Sequence, residues 1–357
     1  MNNRIEAPRQ WANVLWLMSF IYIFLVAAIP VCLAQSAPQH TIVALSKTDH
    51  TLAIIDRATL QVIVRVPVGP DPHEVVVSAD GKTAYVSNTG SGRFHEINVI
   101  DLVSYKALTN IDTQPLLGPH GLAFVGGELW FTTQGSKAIG RYDPQAAKID
   151  WSMGTGQDMT HMIYVTADEK QIYTTNVQSG TVSIFDNVLM PPTVTPMGYT
   201  LPGAKPYMDW LQTAIPVAKG NEGFDVSSDG KQLWTAEPIK GTLSVIDIPS
   251  KKVIKTIDAG MLGANRVKIT PDGRKVLISS LRTGDLFVYD AVTAKEITMV
   301  NLGHGAAHIL VDASGSRAFI ACTPDNYVAV VDLNTFMVTG HIDIGGRPDG
   351  MAFADQQ

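Results

Sequence analysis

The sequence predicts an all-β fold: a seven-bladed β-propeller of four-stranded antiparallel blades, closed by pairing N-terminal strands with the C-terminal strand. Three observations carry this. One phrase, an apolar triplet followed by a polar turn and a short strand, recurs along most of the chain. Its recurrences are almost evenly spaced. The two ends of the chain hold complementary fractions of one more repeat.

The first 34 residues stand apart from this pattern. Arg4 and Arg9 precede a nearly uncharged stretch, VLWLMSFIYIFLVAAIPVCLA, that ends in small residues before the polar segment QSAPQ. A basic start, an apolar run and a small-residue end describe a secretory signal, with cleavage expected after Ala34. The run is also long enough to span a bilayer, so a retained N-terminal anchor is the alternative. Either places the folded part in the periplasm or outside the cell. Residues 35–40 form a linker and 41–357 the propeller. Without the first 34 residues the chain has 25 Lys+Arg against 32 Asp+Glu, a net charge of −7. That balance offers no general attraction for nucleic acid or anionic lipid. Cys322 is then the one cysteine left, so an exported protein must hold together without an internal disulfide.

Residues 41–69 (TIVALS, TLAIID, QVIVRVPVG) supply a second, third and fourth strand without a first. Full repeats follow. The phrase is VVVSADGKTAYVSN at 75–88, FDVSSDGKQLWTAE at 224–237 and VKITPDGRKVLISS at 267–280. Variants are LAFVGGELWFTTQ (122–134), IYVTADEKQIYTTN (163–176) and ILVDASGSRAFIAC (309–322). Each is followed by a strand ending in Asp (INVID, IGRYD, VSIFD, LSVID, LFVYD, VAVVD), then by a fourth strand and a turn. β-Branched strands separated by Asp-Gly turns make a twisted blade. Residues 349–355 (DGMAFAD) supply the missing first strand, which removes two exposed sheet edges and locks the ring.

The stretches AYVSNTGSG (84–92) and YTTNVQSGTVSIFD (173–186), with an apolar triplet and a polar turn before each (SADG at 78–81 in the first), resemble the YVTN-repeat propeller family over about 40–355. The resemblance implies a fold more than a function. Similar propellers include lactonases, a streptogramin-cleaving lyase and cofactor-bearing oxidoreductase domains.

In a propeller the first strand of each blade lines the central channel, so the residues where these strands start form a ring at one mouth. Two residues before each triplet stand His73, His120, His161, Glu222, Asn265, Ala307 and Asp349. In the sixth blade the imidazole is shifted to His308, with His304 four residues earlier. The next column holds Glu74, Gly121, Met162, Gly223, Arg266, His308 and Gly350. Five of the nine histidines fall in or beside this ring, the strongest functional signal in the chain. Three imidazoles, His73, His120 and His161, suit one divalent transition metal. Without a metal, His120, His161 and Glu222 can move protons while Arg266 holds a carboxylate or a developing negative charge. His73, Asn265, His304, His308 and Asp349 complete a small-ligand site. A solvated channel mouth without chemistry is the plainer alternative. His40, His50, His95 and His341 fall outside the column. The hairpin residues Asn88, Gln134, Asn176 and Glu237 read as turn-formers, and the Asp residues ending third strands as turn caps.

The interval between the third and fourth ring positions is about 20 residues too long. The excess, NVLMPPTVTPMGYTLPGAKPY at roughly 187–207, should emerge on the face away from the histidines. No G-x-S-x-G elbow, phosphate loop, haem-attachment site or H-E-x-x-H helix is present. The sequence therefore predicts an exported propeller that binds a small molecule or divalent metal at its His-rich mouth, with lactonase- or lyase-like chemistry if it is an enzyme. The alternative is a non-catalytic scaffold that holds a protein partner through its faces and the 187–207 loop.

Overall fold

The computed structural model describes residues 40–194 and 196–356. Residues 1–34, expected from the sequence to be a secretory signal, and nearly all of the linker lie outside the described residues. His40, placed in the linker by sequence, instead opens a strand, His40–Ser46, opposite Asp355.

The described chain forms seven antiparallel sheets, each built on a path of four strands. The closing blade is the split one: Pro348–Asp355 pairs with His40–Ser46, Ile42 opposite Phe353 and Val43 opposite Ala352. Strands Thr51–Asp56 and Val62–Pro67 complete it. The first blade carries an extra short strand, because Lys106–Ala107 and Ile111–Asp112 both pair with Glu96–Asp101.

Apolar residues alternate toward two neighbours. Ile42 and Ala44 face the sixth blade, where they meet Phe319 and Val330. Val43 and Leu45 face the first blade and meet Val75 and Val86. A strand covered on both faces needs an unbroken apolar run, hence TIVAL. Among the described residues, each hydrophobic cluster spans two adjacent blades, and the seven clusters close a circle. No blade has a private core, so the ring stabilises itself only when closed.

The Asp residues that end third strands cap turns. Asp101 accepts from the amides of Val103 and Ser104, Asp290 from Val292 and Thr293, Asp332 from Asn334 and Thr335. Asp186 differs: it pairs with Lys251 and Gln171. Its blade is the one with the insertion, where the third strand runs on as Thr181–Met190 and pairs throughout with Tyr207–Pro216. The excess thus extends the hairpin by the four pairs from Asn187–Trp210 to Met190–Tyr207 and ends in the loop 191–206. It leaves the sheet beside the first-to-second turn, where the Asn187 amide donates to the Lys170 carbonyl at 2.8 Å. That is the face opposite the histidines, as the strand order requires.

Candidate functional site at the channel mouth

The ring residues are aimed by a repeated irregularity. In six blades two first-strand residues stand opposite one second-strand residue: 73–74 against Ser87, 120–121 against Thr132, 161–162 against Thr175, 265–266 against Ser279, 307–308 against Ala321, and 349–350 against Leu45. Such a bulge turns the first residue out of the pleat and into the channel mouth. Where the opposing residue has a hydroxyl, it fastens the bulge. Ser87 accepts from the Glu74 amide and donates to the His120 carbonyl of the next blade at 2.8 Å. Thr132 joins the Gly121 amide to the His161 carbonyl, Thr175 the Met162 amide to the Glu222 carbonyl, and Ser279 the Arg266 amide to the Ala307 carbonyl. The serine or threonine in the repeated second strand is therefore a blade-to-blade tie.

The ring surrounds a cavity of about 570 Å³ lined by His73, His120, His161, Glu222, Asn265, Arg266 and Asp349, among others. The His120 ring packs on His161 with centroids 3.8 Å apart and on His73 at 4.9 Å. Gln134 Nε2 lies 2.6 Å from His161 Nδ1, and His161 Nε2 lies 4.0 Å from Glu222 Oε2. Glu222 accepts from Asn265 Nδ2 and stands 3.5 Å from Arg266 Nη1. One layer down, Arg266 Nη2 donates to Glu74 Oε1 at 2.6 Å, and His308 Nδ1 lies 3.5 Å from the other Glu74 oxygen.

Two residues outside the sequence-predicted site complete the mouth. Lys47 Nζ sits 2.7 and 3.1 Å from the two ring nitrogens of His73, 3.3 Å from Asp349 and 3.4 Å from Asp71. Gln134, taken as a turn residue, faces the cavity. Both occupy the position just after the second strand, one column beyond the one sequence alignment singled out. Asn88, Asn176 and Glu237 do bond locally, to Asn98, Ser183 and the Ile239 and Lys240 amides.

The structure separates His304 from the group. Its imidazole is 86% exposed and bonded to Asp325 at 2.6 Å, because the turn before the sixth blade carries it outward. His308 lies in the lower layer rather than in the ring. His40, His95 and His341 pair with Asp355, Asp112 and Tyr327 outside the channel. Cys322 is buried, and burial pushes its thiol up to about 12.

Burial sets the charge states. It drives the His120 and His161 imidazoles well below their ordinary pKa, aided at His120 by the neighbouring rings and at His161 by Arg266. Both are neutral at pH 7. Burial raises the Glu222 carboxyl, against the pull of Arg266. At Glu74 burial also acts upward, but Arg266 and His308 together hold the carboxylate ionised. The His73 hydrogen bond, with Lys47, holds Asp71 low. His120 Nδ1, His161 Nε2 and Arg266 Nε and Nη1 are buried without a hydrogen-bond partner. Bare polar atoms of this kind around a cavity are what a ligand would satisfy.

The donor set fits a divalent cation only in part. His120 and His161 present unpartnered nitrogens, whereas the Lys47 ammonium lies against both nitrogens of His73. Among the described residues, the trio of acidic, His or Cys side chains whose ligand atoms lie within 4.8 Å of one another is Glu128, Asp143 and Asp150, away from the channel.

No family model matches the chain, and no curated protein does. Solved structures do. A candidate 6-phosphogluconolactonase from Bacteroides fragilis is 15% identical, with a TM-score of 0.68 over 88% of this chain and 98% of that one. A functionally unknown protein from Desulfotomaculum acetoxidans gives 0.69 at 12% identity, covering 89% and 99%. Hydrazine synthase of Kuenenia stuttgartiensis gives 0.62 at 16%, covering 79% and 89%. These likenesses define the class: a seven-bladed propeller with lactonase-like and other neighbours. At such identities they show the fold alone.

Proposed function

We propose that the channel mouth binds a small ester- or lactone-bearing molecule and opens it by hydrolysis. The observation that carries this is the set of buried atoms without a hydrogen bond, His120 Nδ1, His161 Nε2 and Arg266 Nε and Nη1, on residues that line one cavity beside a carboxyl of raised pKa. Two groups whose surroundings push them in opposite directions make an acid and a base in one site. Neutral His161 takes a proton from water as the water oxygen bonds to the carbonyl carbon. Arg266 Nη1 stabilises the oxyanion that forms. The ring C–O bond then breaks, and the leaving oxygen takes a proton from Glu222. Lactonase-like neighbours at low identity are consistent with this class of substrate.

The test is a panel of γ- and δ-lactones followed by pH-stat, with calorimetry on the product acids. Turnover that falls roughly 10²–10⁴-fold in His161→Ala and Glu222→Gln supports the reading. A panel that is neither opened nor bound as acids overturns it and leaves the scaffold alternative ahead.

The bare nitrogens of His120 and His161 favour a second reading, a divalent transition metal held by His120, His161 and Glu222. Such an ion would polarise a carbonyl. Elemental analysis of protein purified without chelators or a His-tag tests it: stoichiometric metal lost in His120→Ala supports it, and metal-free protein after soaking overturns it.

A further inference from the structure

A second cavity, about 590 Å³, lies at the base of the lengthened hairpin, on the face away from the histidines. Three tryptophans from three strands surround it. Trp130 packs edge-on against Trp151 at 5.5 Å and against Trp210 at 6.4 Å, and Trp151 and Trp210 are 5.8 Å apart. Trp130 is 2% exposed, whereas the other two are partly exposed.

The polar atoms here depart from the pattern of the other blades. In the third and fourth blades, the aromatic at this position donates to the residue two before it: Tyr173 to Gln171 at 2.6 Å and Trp234 to Gln232 at 3.2 Å. In the second blade that residue is Glu128, which turns to Arg141 at 3.6 Å. Trp130 Nε1 is left buried without a hydrogen-bond partner, and so is the Oδ1 of Asn187, a residue that lines the same cavity from the hairpin. One is an obligate donor and the other an acceptor, so the occupant must offer both. The cationic place over the indole is already taken, because Arg141 lies 5.2 Å from the Trp130 ring centre and pairs with Asp150 at 2.8 Å. A quaternary ammonium therefore fits poorly. Apolar faces edged by a donor, an acceptor, Lys170 and Asp209 match a ring with C–H faces and hydroxyls in its plane.

We infer that this cavity is a saccharide-binding site, formed by Trp130, Trp151, Trp210 and Asn187. It is independent of the channel mouth. From the same hairpin, Met208 and Asp209 also line it.

The experiment uses the whole mature protein with methyl glycosides of glucose, galactose and N-acetylglucosamine and their β-linked dimers, read by tryptophan fluorescence and calorimetry. At least one should bind with a dissociation constant tighter than about 10 mM. Trp210→Ala and Asn187→Ala should each weaken it roughly tenfold, the loss of one contact worth about 1.4 kcal/mol, while His161→Ala leaves it unchanged. Asn187→Ala keeps the aromatic cluster and guards against misfolding of the Trp variant. No binding across the panel, binding indifferent to both variants, or binding of choline in place of sugars overturns the inference.

Discussion

Glu74 and Arg266 stand 192 positions apart in the chain, yet their side chains join at 2.6 Å across the channel, both nearly out of reach of water. The pair links the first blade to the fifth and floors the cavity. A buried ion pair is a poor source of net stability, but breaking one side strands the other charge. Glu74→Ala should therefore destabilise the protein by about 3–5 kcal/mol, seen as a lower urea midpoint. The double change Glu74→Leu with Arg266→Met should recover most of that loss. A double variant as weak as the sum of the single ones would show that packing, not charge, is what the pair provides.

Acid should weaken the fold through His120 and His161. Their folded pKa values lie well below the ordinary imidazole value, so below about pH 6.5 the unfolded chain binds protons that the native state refuses. Stability is then lost as pH falls from about 6.5 toward 5, with opposite-signed relief only where Glu222, raised by burial, takes up a proton. His120→Gln removes one of the two refusing groups and should flatten the slope of denaturation midpoint against pH. By the same logic, hydrolysis that needs neutral His161 should persist below pH 6.5 and fail only in stronger acid. A slope identical in wild type and variant would mean that His120 is protonated in the native state.

Glycines on the inner and outer strands have different reasons to be there. A Cβ on Gly121 would meet the His161 carbonyl oxygen at 2.4 Å, and on Gly350 the His73 carbonyl oxygen at 2.5 Å. Neighbouring blades touch backbone to backbone at these points. Gly121→Ala should cost about 1–3 kcal/mol by overpacking and should shift His161 with it. Gly340 has nothing within 4 Å of its Cβ position. Gly340→Ala should be neutral or stabilising by roughly 0.5–1 kcal/mol. Thermal melts of the two side by side measure the contrast.

The channel ring was readable because a bulge recurs at one place in the repeat, so alignment of the triplets brought His73, His120, His161, Glu222 and Asn265 into one column. Lys47 was not, because its blade is split between the chain ends and its neighbours His73 and Asp349 belong to other sequence segments. Gln134 reads from the sequence as a turn-former in line with Asn88 and Asn176, but Thr133 is their structural counterpart, and Gln134 falls one place further on, where the other blades carry Thr89, Val177 and Leu281 and give no pattern. His304 showed the reverse failure: sequence proximity to His308 suggested a pair, but the turn at Gly303, with φ of 137°, sends it outward to Asp325. The tryptophan cavity was invisible because Trp130 and Trp151 come from two strands of the second blade and Trp210 from the outer strand of the third, positions that no repeat alignment superimposes.

The split blade makes a prediction about connectivity. His40 stands opposite Asp355 in an antiparallel pair, so the end of the last strand lies where a hairpin to the first would begin. A linker of about two to five residues should bridge them. New termini can be opened in the loop 191–206, since the paired strands Thr181–Met190 and Tyr207–Pro216 end there. The permuted chain should fold, because every ladder is kept and the closing contact becomes local, which lowers the loop-closure cost. Removing residues 348–357 instead should abolish the folded monomer. It bares the edge of His40–Ser46 and strips Met351 and Ala354 from the two clusters that flank the blade. Light scattering and urea melts distinguish these outcomes. A truncated chain that stays monomeric and melts with wild-type cooperativity would show that six blades and an open seventh suffice, and the closing strand would then have to be kept for some reason other than stability.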